Sequence, residues 1–136
     1  MSTGSNRSVT GFAANAATVL FALTIVLQLL LAAGILPVSM SWGGRQTVLT
    51  PGLRLASVAA AVILGGFAYV IRRRAGLMGT LPPPLAIKIL SWFITAYMAF
   101  NTLGNLTSVS ATERLVFTPI TVLLVVACFV VSRSKV

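Results

Sequence analysis

Apolar positions run along this chain in four long blocks, separated by short stretches of Gly, Pro, Ser and Arg. The blocks cover about 13–37, 51–71, 85–107 and 111–131. At a rise of ~1.5 Å per residue, a helix of any of these lengths crosses a hydrocarbon layer of roughly 30 Å. The pattern predicts an all-α integral membrane protein, a bundle of four transmembrane helices with short loops, forming a single membrane domain. Residues 1–12 are rich in Ser, Thr, Gly and Asn and read as a short tail. The first block exceeds the ~7–15-residue apolar core of a signal peptide, so it is read as a retained span.

The breaks between blocks carry their own signals. Pro37 closes the first helix or kinks its last turn. Gly43-Gly44 permits a tight turn, and Trp42 suits a membrane interface. Thr50-Pro51 is an N-cap followed by proline at the first helical position. Pro82, Pro83 and Pro84 stiffen the connection to the third helix. Ser110-Ala111-Thr112-Glu113 has capping-box spacing, with Ser110 as N-cap and Glu113 at N3. Pro119 falls about two turns into the fourth helix. It should free the carbonyl of Leu115 and bend the helix, with Thr118 or Thr121 available to satisfy the opened backbone.

Composition strengthens the membrane reading. The chain has 136 residues, 57% of them hydrophobic and 8% charged, and a mean hydropathy of +1.01. A soluble domain is nearer a quarter charged. A net charge of +9 would suggest nucleic acid in a soluble protein. Here the basic residues flank apolar blocks, so topology and anionic headgroups explain them better, and no nucleic acid is expected. Four spans put Arg7, Arg72, Arg73, Arg74, Lys88, Arg133 and Lys135 on one side and Arg45, Arg54 and Arg114 on the other. The positive-inside tendency then places the protein in the cell membrane as a multi-pass chain with both termini cytoplasmic. Arg72, Arg73, Arg74 and Lys88 are the expected contacts for acidic lipid headgroups on that side.

Candidate chemistry is sparse. The chain has no His, a single acid (Glu113) and a single Cys (Cys128). Haem, zinc and two-metal centres lack their usual ligands, and no metal or cofactor is expected. No nucleophile has an evident base, so no enzyme activity is expected. What stands out is FNTLGNLTS, with Asn101 and Asn105 where lipid is normally met by Leu or Val. Tyr97, Asn101, Asn105 and Ser108 share one helical face. With no water in the bilayer core, that face should meet other helices or a wet cavity. Gln28, Arg54 and Glu113 lie at matching depth, giving an expected polar cluster of Gln28, Arg54, Tyr97, Asn101, Asn105 and Glu113. Glu113 itself is read first as a cap, with Arg54 or Arg114 as a charge partner.

Ser57, Ala61, Gly65 and Ala68 form a stripe of small residues on the second helix, which lets another backbone approach closely. The functional expectation is a structural or interaction subunit that packs with itself or with a membrane partner. The alternative is a small channel or carrier using the outward-facing polar cluster of the first and third helices. No stretch carries a quotable family motif.

Overall fold

A computed structural model describes residues 3–136. The fold is all-helical: α1 (Thr3–Ala33), α2 (Pro51–Arg74), α3 (Leu85–Thr107) and α4 (Thr118–Ser132), the last entered through a π-helical turn at Glu113–Phe117. All four helices, the π-turn counted with α4, are long and apolar enough to cross a membrane by length and composition. They run up and down. One end of the bundle gathers the start of α1, the end of α2, the start of α3 and the end of α4. It is called the arginine end here, and the opposite one the tryptophan end, after Trp42.

The helix ends differ from the sequence expectation in instructive ways. Residues 3–12 of the expected tail are the first turns of α1, while residues 1 and 2 lie outside the described residues. Once a strong apolar helix is nucleated, each added residue gains a hydrogen bond without a new nucleation cost. Thr10 also turns its hydroxyl back onto the Asn6 carbonyl, at 2.8 Å. At the other end α1 stops at Ala33, short of Pro37. Gly34 adopts φ 78°, and its N–H donates to Leu31 O while Ile35 N–H donates to Leu30 O, both at 3.0 Å. That is a Schellman termination, in which glycine supplies the left-handed residue. α2 begins as expected from Thr50, whose Oγ1 accepts from Leu53 N at 3.2 Å. It continues through all three arginines to Arg74.

α1 packs on α2 and α4, and α3 packs mainly on α4, while α2 and α3 touch less than these pairs do. Toward the arginine end the four helices close around a dry core in which Phe21, Ile71, Leu124, Cys128 and Val131 have no accessible surface. Thr95 ties α3 to α4 within that core, its hydroxyl 3.2 Å from that of Ser132. Cys128 is a free, buried thiol acting as a small hydrophobe. The outer faces are as apolar as the core: Phe100 is 78% exposed, Phe12 77% and Leu115 75%.

The arginine triplet has acceptors within the protein. Arg73 and Arg74 are buried. Arg73 donates to the carbonyls of Met78 (3.1 Å) and Thr80 (2.6 Å), closing the loop after α2. Arg74 donates to the carbonyls of Ser132 (3.0 Å), Val136 (3.2 Å) and Ser134 at the end of α4. Arg72 reaches across to α1, onto Asn15 Oδ1 at 3.0 Å and Thr18 Oγ1 at 3.4 Å. A guanidinium carries five donors, and the last carbonyls of a helix are unpaired and at its negative end, so these carbonyls are natural acceptors for the triplet. Of the four residues expected to meet lipid heads, Lys88 is exposed and Arg72 half-buried.

Candidate functional site: a polar cavity at the tryptophan end

Where α2 and α3 part, the bundle leaves a half-open cavity of about 610 Å³. It lies one to two turns beyond a row of edge-to-face aromatics. In that row Phe67 of α2 meets Phe21 of α1 at 6.2 Å and Tyr97 of α3 at 5.4 Å. The α2 wall is made of small apolar residues, Ala56, Ala59 and Ala60, with Ile63 and Leu64. The facing walls set polar side chains among apolar ones: Thr24 and Gln28 from α1, Tyr97, Asn101 and Asn105 from α3, and Glu113 and Thr121 from the fourth helix, beside Met98 and Phe117. Five of the six side chains of the expected polar cluster therefore line one cavity. Arg54 does not. It donates instead to Ala32 O at 2.9 Å, capping the end of α1, where an unpaired carbonyl awaits a donor.

Glu113 closes the cavity at the tryptophan end. It is 6% exposed, and its carboxylate accepts from the N–H of Gly43, 3.2 Å from Oε1 and 3.1 Å from Oε2. The Ser108 hydroxyl donates to the same Oε2. Half of the expected capping box forms, since Ser110 Oγ accepts from Glu113 N at 3.3 Å. The reciprocal half does not: the Ser110 N–H goes to Ser108 Oγ at 3.0 Å, which leaves the carboxylate to the loop. The expected arginine partners also turn elsewhere. Arg114 donates to Ser108 O at 2.6 Å, and Arg54 to α1. The lone acid is thus held by a main-chain amide and a hydroxyl.

The loop that reaches Glu113 is shaped for it. Trp42, Gly43 and Gly44 all have positive φ, 58°, 80° and 72°. A non-glycine residue there is strained, and Trp42 is anchored by its indole N–H, which donates to Ser57 Oγ at 3.2 Å. Gly44 passes so close to the start of the fourth helix that a Cβ would lie 2.6 Å from Ser110 N. No signal in the sequence linked Gly43 and Gly44 to Glu113; the glycine pair suggested only a turn.

The π-turn places the rest of the wall. Pro119 has no N–H for the Leu115 carbonyl, and the backbone accommodates it with one widened turn in which Thr118 N–H reaches back to Glu113 O. Thr118 Oγ1 donates to that same carbonyl at 3.1 Å, and Thr121 Oγ1 donates to Thr118 O at 3.0 Å. Asn105 Nδ2 then donates to Thr121 Oγ1 at 3.4 Å, joining α3 to α4. Asn105 is buried and Asn101 exposed along the same face. The two amides thus sit in different surroundings, Asn105 between helices and Asn101 at the parting of α2 and α3. Gln28 lines the cavity too, and its Oε1 is buried without a hydrogen-bond partner.

The small-residue stripe divides. Ser57 and Ala61 are buried in the bundle. At Gly65 an added Cβ would meet nothing within 4 Å among the described residues, whereas Ala68 packs against the core. Among the described residues no group of three His, Cys, Asp or Glu side chains could hold a metal ion. Comparison with protein-family models, with curated proteins and with solved structures finds no match to this chain.

Proposed function

We propose that the chain is a four-span integral membrane protein that binds a small, hydrogen-bonding solute in the cavity at its tryptophan end. The membrane part rests on four apolar spans with apolar outer faces, which water would not tolerate at this extent. The positive-inside tendency puts the arginine end, with its seven basic residues, in the cytoplasm and the cavity in the outer half of the bilayer.

One observation carries the binding part: a cavity of about 610 Å³ lined by Gln28, Tyr97, Asn101, Asn105 and Glu113. Its volume lies within the roughly 300–1,000 Å³ of small-molecule sites. An amide oxygen buried without a partner costs about 1–3 kcal/mol, and Gln28 Oε1 recovers that only when something donates to it. The lining carries one formal charge, that of Glu113. A neutral or cationic solute with N–H or O–H donors therefore fits better than an anion. The close-packed core beyond Tyr97 argues for a blind site, as a carrier or receptor needs, over a continuous pore.

The test is a screen of small amides, amines and polyols for thermal stabilisation of the purified protein, with Gln28→Leu and Asn101→Leu beside wild type. A hit on wild type that both variants lose supports the site. Stabilisation by none of the solutes, or equally in all three proteins, would remove it. A second reading, a self-associating interaction subunit, is favoured by Gly65 and Gly66, whose absent side chains leave open space on α2 for another helix. Crosslinking of Gly65→Cys protomers in membranes would support that reading; exclusively monomeric product would count against it.

A further inference from the structure

A second hollow, of about 900 Å³, lies at the arginine end between the first turns of α1 and the last turn of α4. Its wall carries Arg7, Arg133 and Lys135, all exposed, and no acidic side chain; Val136 lines it too, its main-chain oxygen accepting from Arg74 at 3.2 Å. The chain's only acid is Glu113, at the opposite end and engaged by Gly43 and Ser108. Among the described residues these three cations therefore have no acidic side chain beside them, although Arg133 also lies over the Phe129 ring, 5.8 Å from its centroid. They contrast with Arg72, Arg73 and Arg74, whose guanidinium groups are occupied by protein oxygens.

The local dipoles add to the same sign. The carbonyls at the end of α4 would repel an anion, but Arg74 covers those of Ser132 and Ser134. The start of α1 presents its positive end. Depth also fits a membrane surface. α1 has 31 residues, about 46 Å at its helical rise, against a hydrocarbon core of roughly 30 Å. Its apolar part from Ala13 to Ala33 fills that core, which leaves Arg7 at headgroup level. Arg133 and Lys135 follow directly after α4 ends at Ser132. Val9 and Val130 give the hollow an apolar side next to the cations.

We infer that this groove binds the phosphate of an acidic phospholipid, held between Arg7, Arg133 and Lys135. The inference rests on the membrane placement proposed above but not on the solute cavity. It moves the acidic-lipid site away from the arginine triplet, which the fold has turned inward.

The experiment is a lipid titration followed by native mass spectrometry of detergent-purified protein, using phosphatidylglycerol and phosphatidylcholine as probes. Wild type should retain one phosphatidylglycerol in preference to phosphatidylcholine. The combined variant Arg7→Gln, Arg133→Gln, Lys135→Gln should lose that preference, binding roughly a hundredfold more weakly at about fivefold per cation. Arg45→Gln, at the other end, should behave as wild type, and the double variant Arg7→Lys, Arg133→Lys, which keeps Lys135, should retain binding. Equal retention by wild type and the Gln variant would overturn the inference. So would glycerol 3-phosphate binding as tightly as the intact lipid, which would make a soluble phosphate the ligand. A chain that stays dispersed without detergent would remove the membrane placement and this site together. A chain that needs detergent yet does not distinguish the two lipids would remove this site alone.

Discussion

The two ends of the bundle each bury an ionised side chain against main-chain groups, and they use it differently. At the arginine end Arg74 gathers carbonyls from the end of α4, beside a core with no accessible surface at Leu124, Cys128 or Val131. At the tryptophan end Glu113 gathers the amide of Gly43 and the hydroxyl of Ser108, beside a cavity of about 610 Å³. Both charges are matched to the partial charges of orphaned backbone groups. The cation locks two helix ends together. The carboxylate holds a loop across helices that have parted. The contrast separates polar groups that finish the fold from those left over, and the leftover ones, Gln28 and Asn101, lie where α2 and α3 diverge.

The largest expected effect comes from removing the acid that holds the loop. Glu113→Ala leaves the Gly43 amide and the Ser108 hydroxyl without their acceptor in a buried place. Charge-assisted hydrogen bonds contribute about 1.5–3 kcal/mol each, so a loss of ~3 kcal/mol or more is expected in detergent unfolding followed by circular dichroism. Glu113→Gln keeps one acceptor oxygen and should lose roughly half as much. If the two variants unfold alike, the carboxylate is not what holds the loop. Gly44→Ala comes next. Its Cβ would lie 2.6 Å from Ser110 N, at φ 72°, and backbone cannot yield as a side-chain tip would. A left-handed non-glycine residue alone costs roughly 1–3 kcal/mol, and the contact adds to it. Trp42 fluorescence reports whether the loop has lifted, because the Trp42 indole is anchored on Ser57.

How much of this was legible in the sequence depends on the range of the interaction. The four helices follow from block length and apolarity, which are local properties. The Thr50 cap and the Ser110 cap were equally local, each joining residues three apart. The start of α1 was misread because polar composition was taken as the end of the helix, when propagation from Ala13 backward costs little. The end of α1 was misread because Pro37 looked stronger than Gly34, although the left-handed glycine acts first. The internal acceptors of the arginine triplet were not legible for a different reason. A basic run beside an apolar block has the same appearance whether its acceptors are lipid phosphates or helix carbonyls 58 residues away. The Gly43–Glu113 contact, 70 residues apart, had no local signature at all. Within the cluster, shared depth brought Gln28, Tyr97, Asn101, Asn105 and Glu113 to one cavity but mistook Arg54, because depth alone does not reveal that the end of α1 lies within its reach.

The two asparagines give the finest division between finishing the fold and facing a ligand. They lie four residues apart on one helix face, so helix propensity and position along the helix are nearly matched between them. Asn105 is 8% exposed and donates to Thr121 Oγ1, which in turn donates to Thr118 O. Asn105→Leu should therefore cost about 1–2 kcal/mol of stability, as Thr121 loses a donor and a branched side chain enters a packed seam. Asn101 is exposed at the cavity wall between α2 and α3. Asn101→Leu should leave unfolding within about 0.5 kcal/mol of wild type, since it breaks nothing buried. Its effect should fall on solute binding alone. Equal destabilisation by both would mean that Asn101 also joins helices, and the division between the two amides would fail. Loss of binding in Asn101→Leu at unchanged stability would mark it as a ligand contact that the fold does not need.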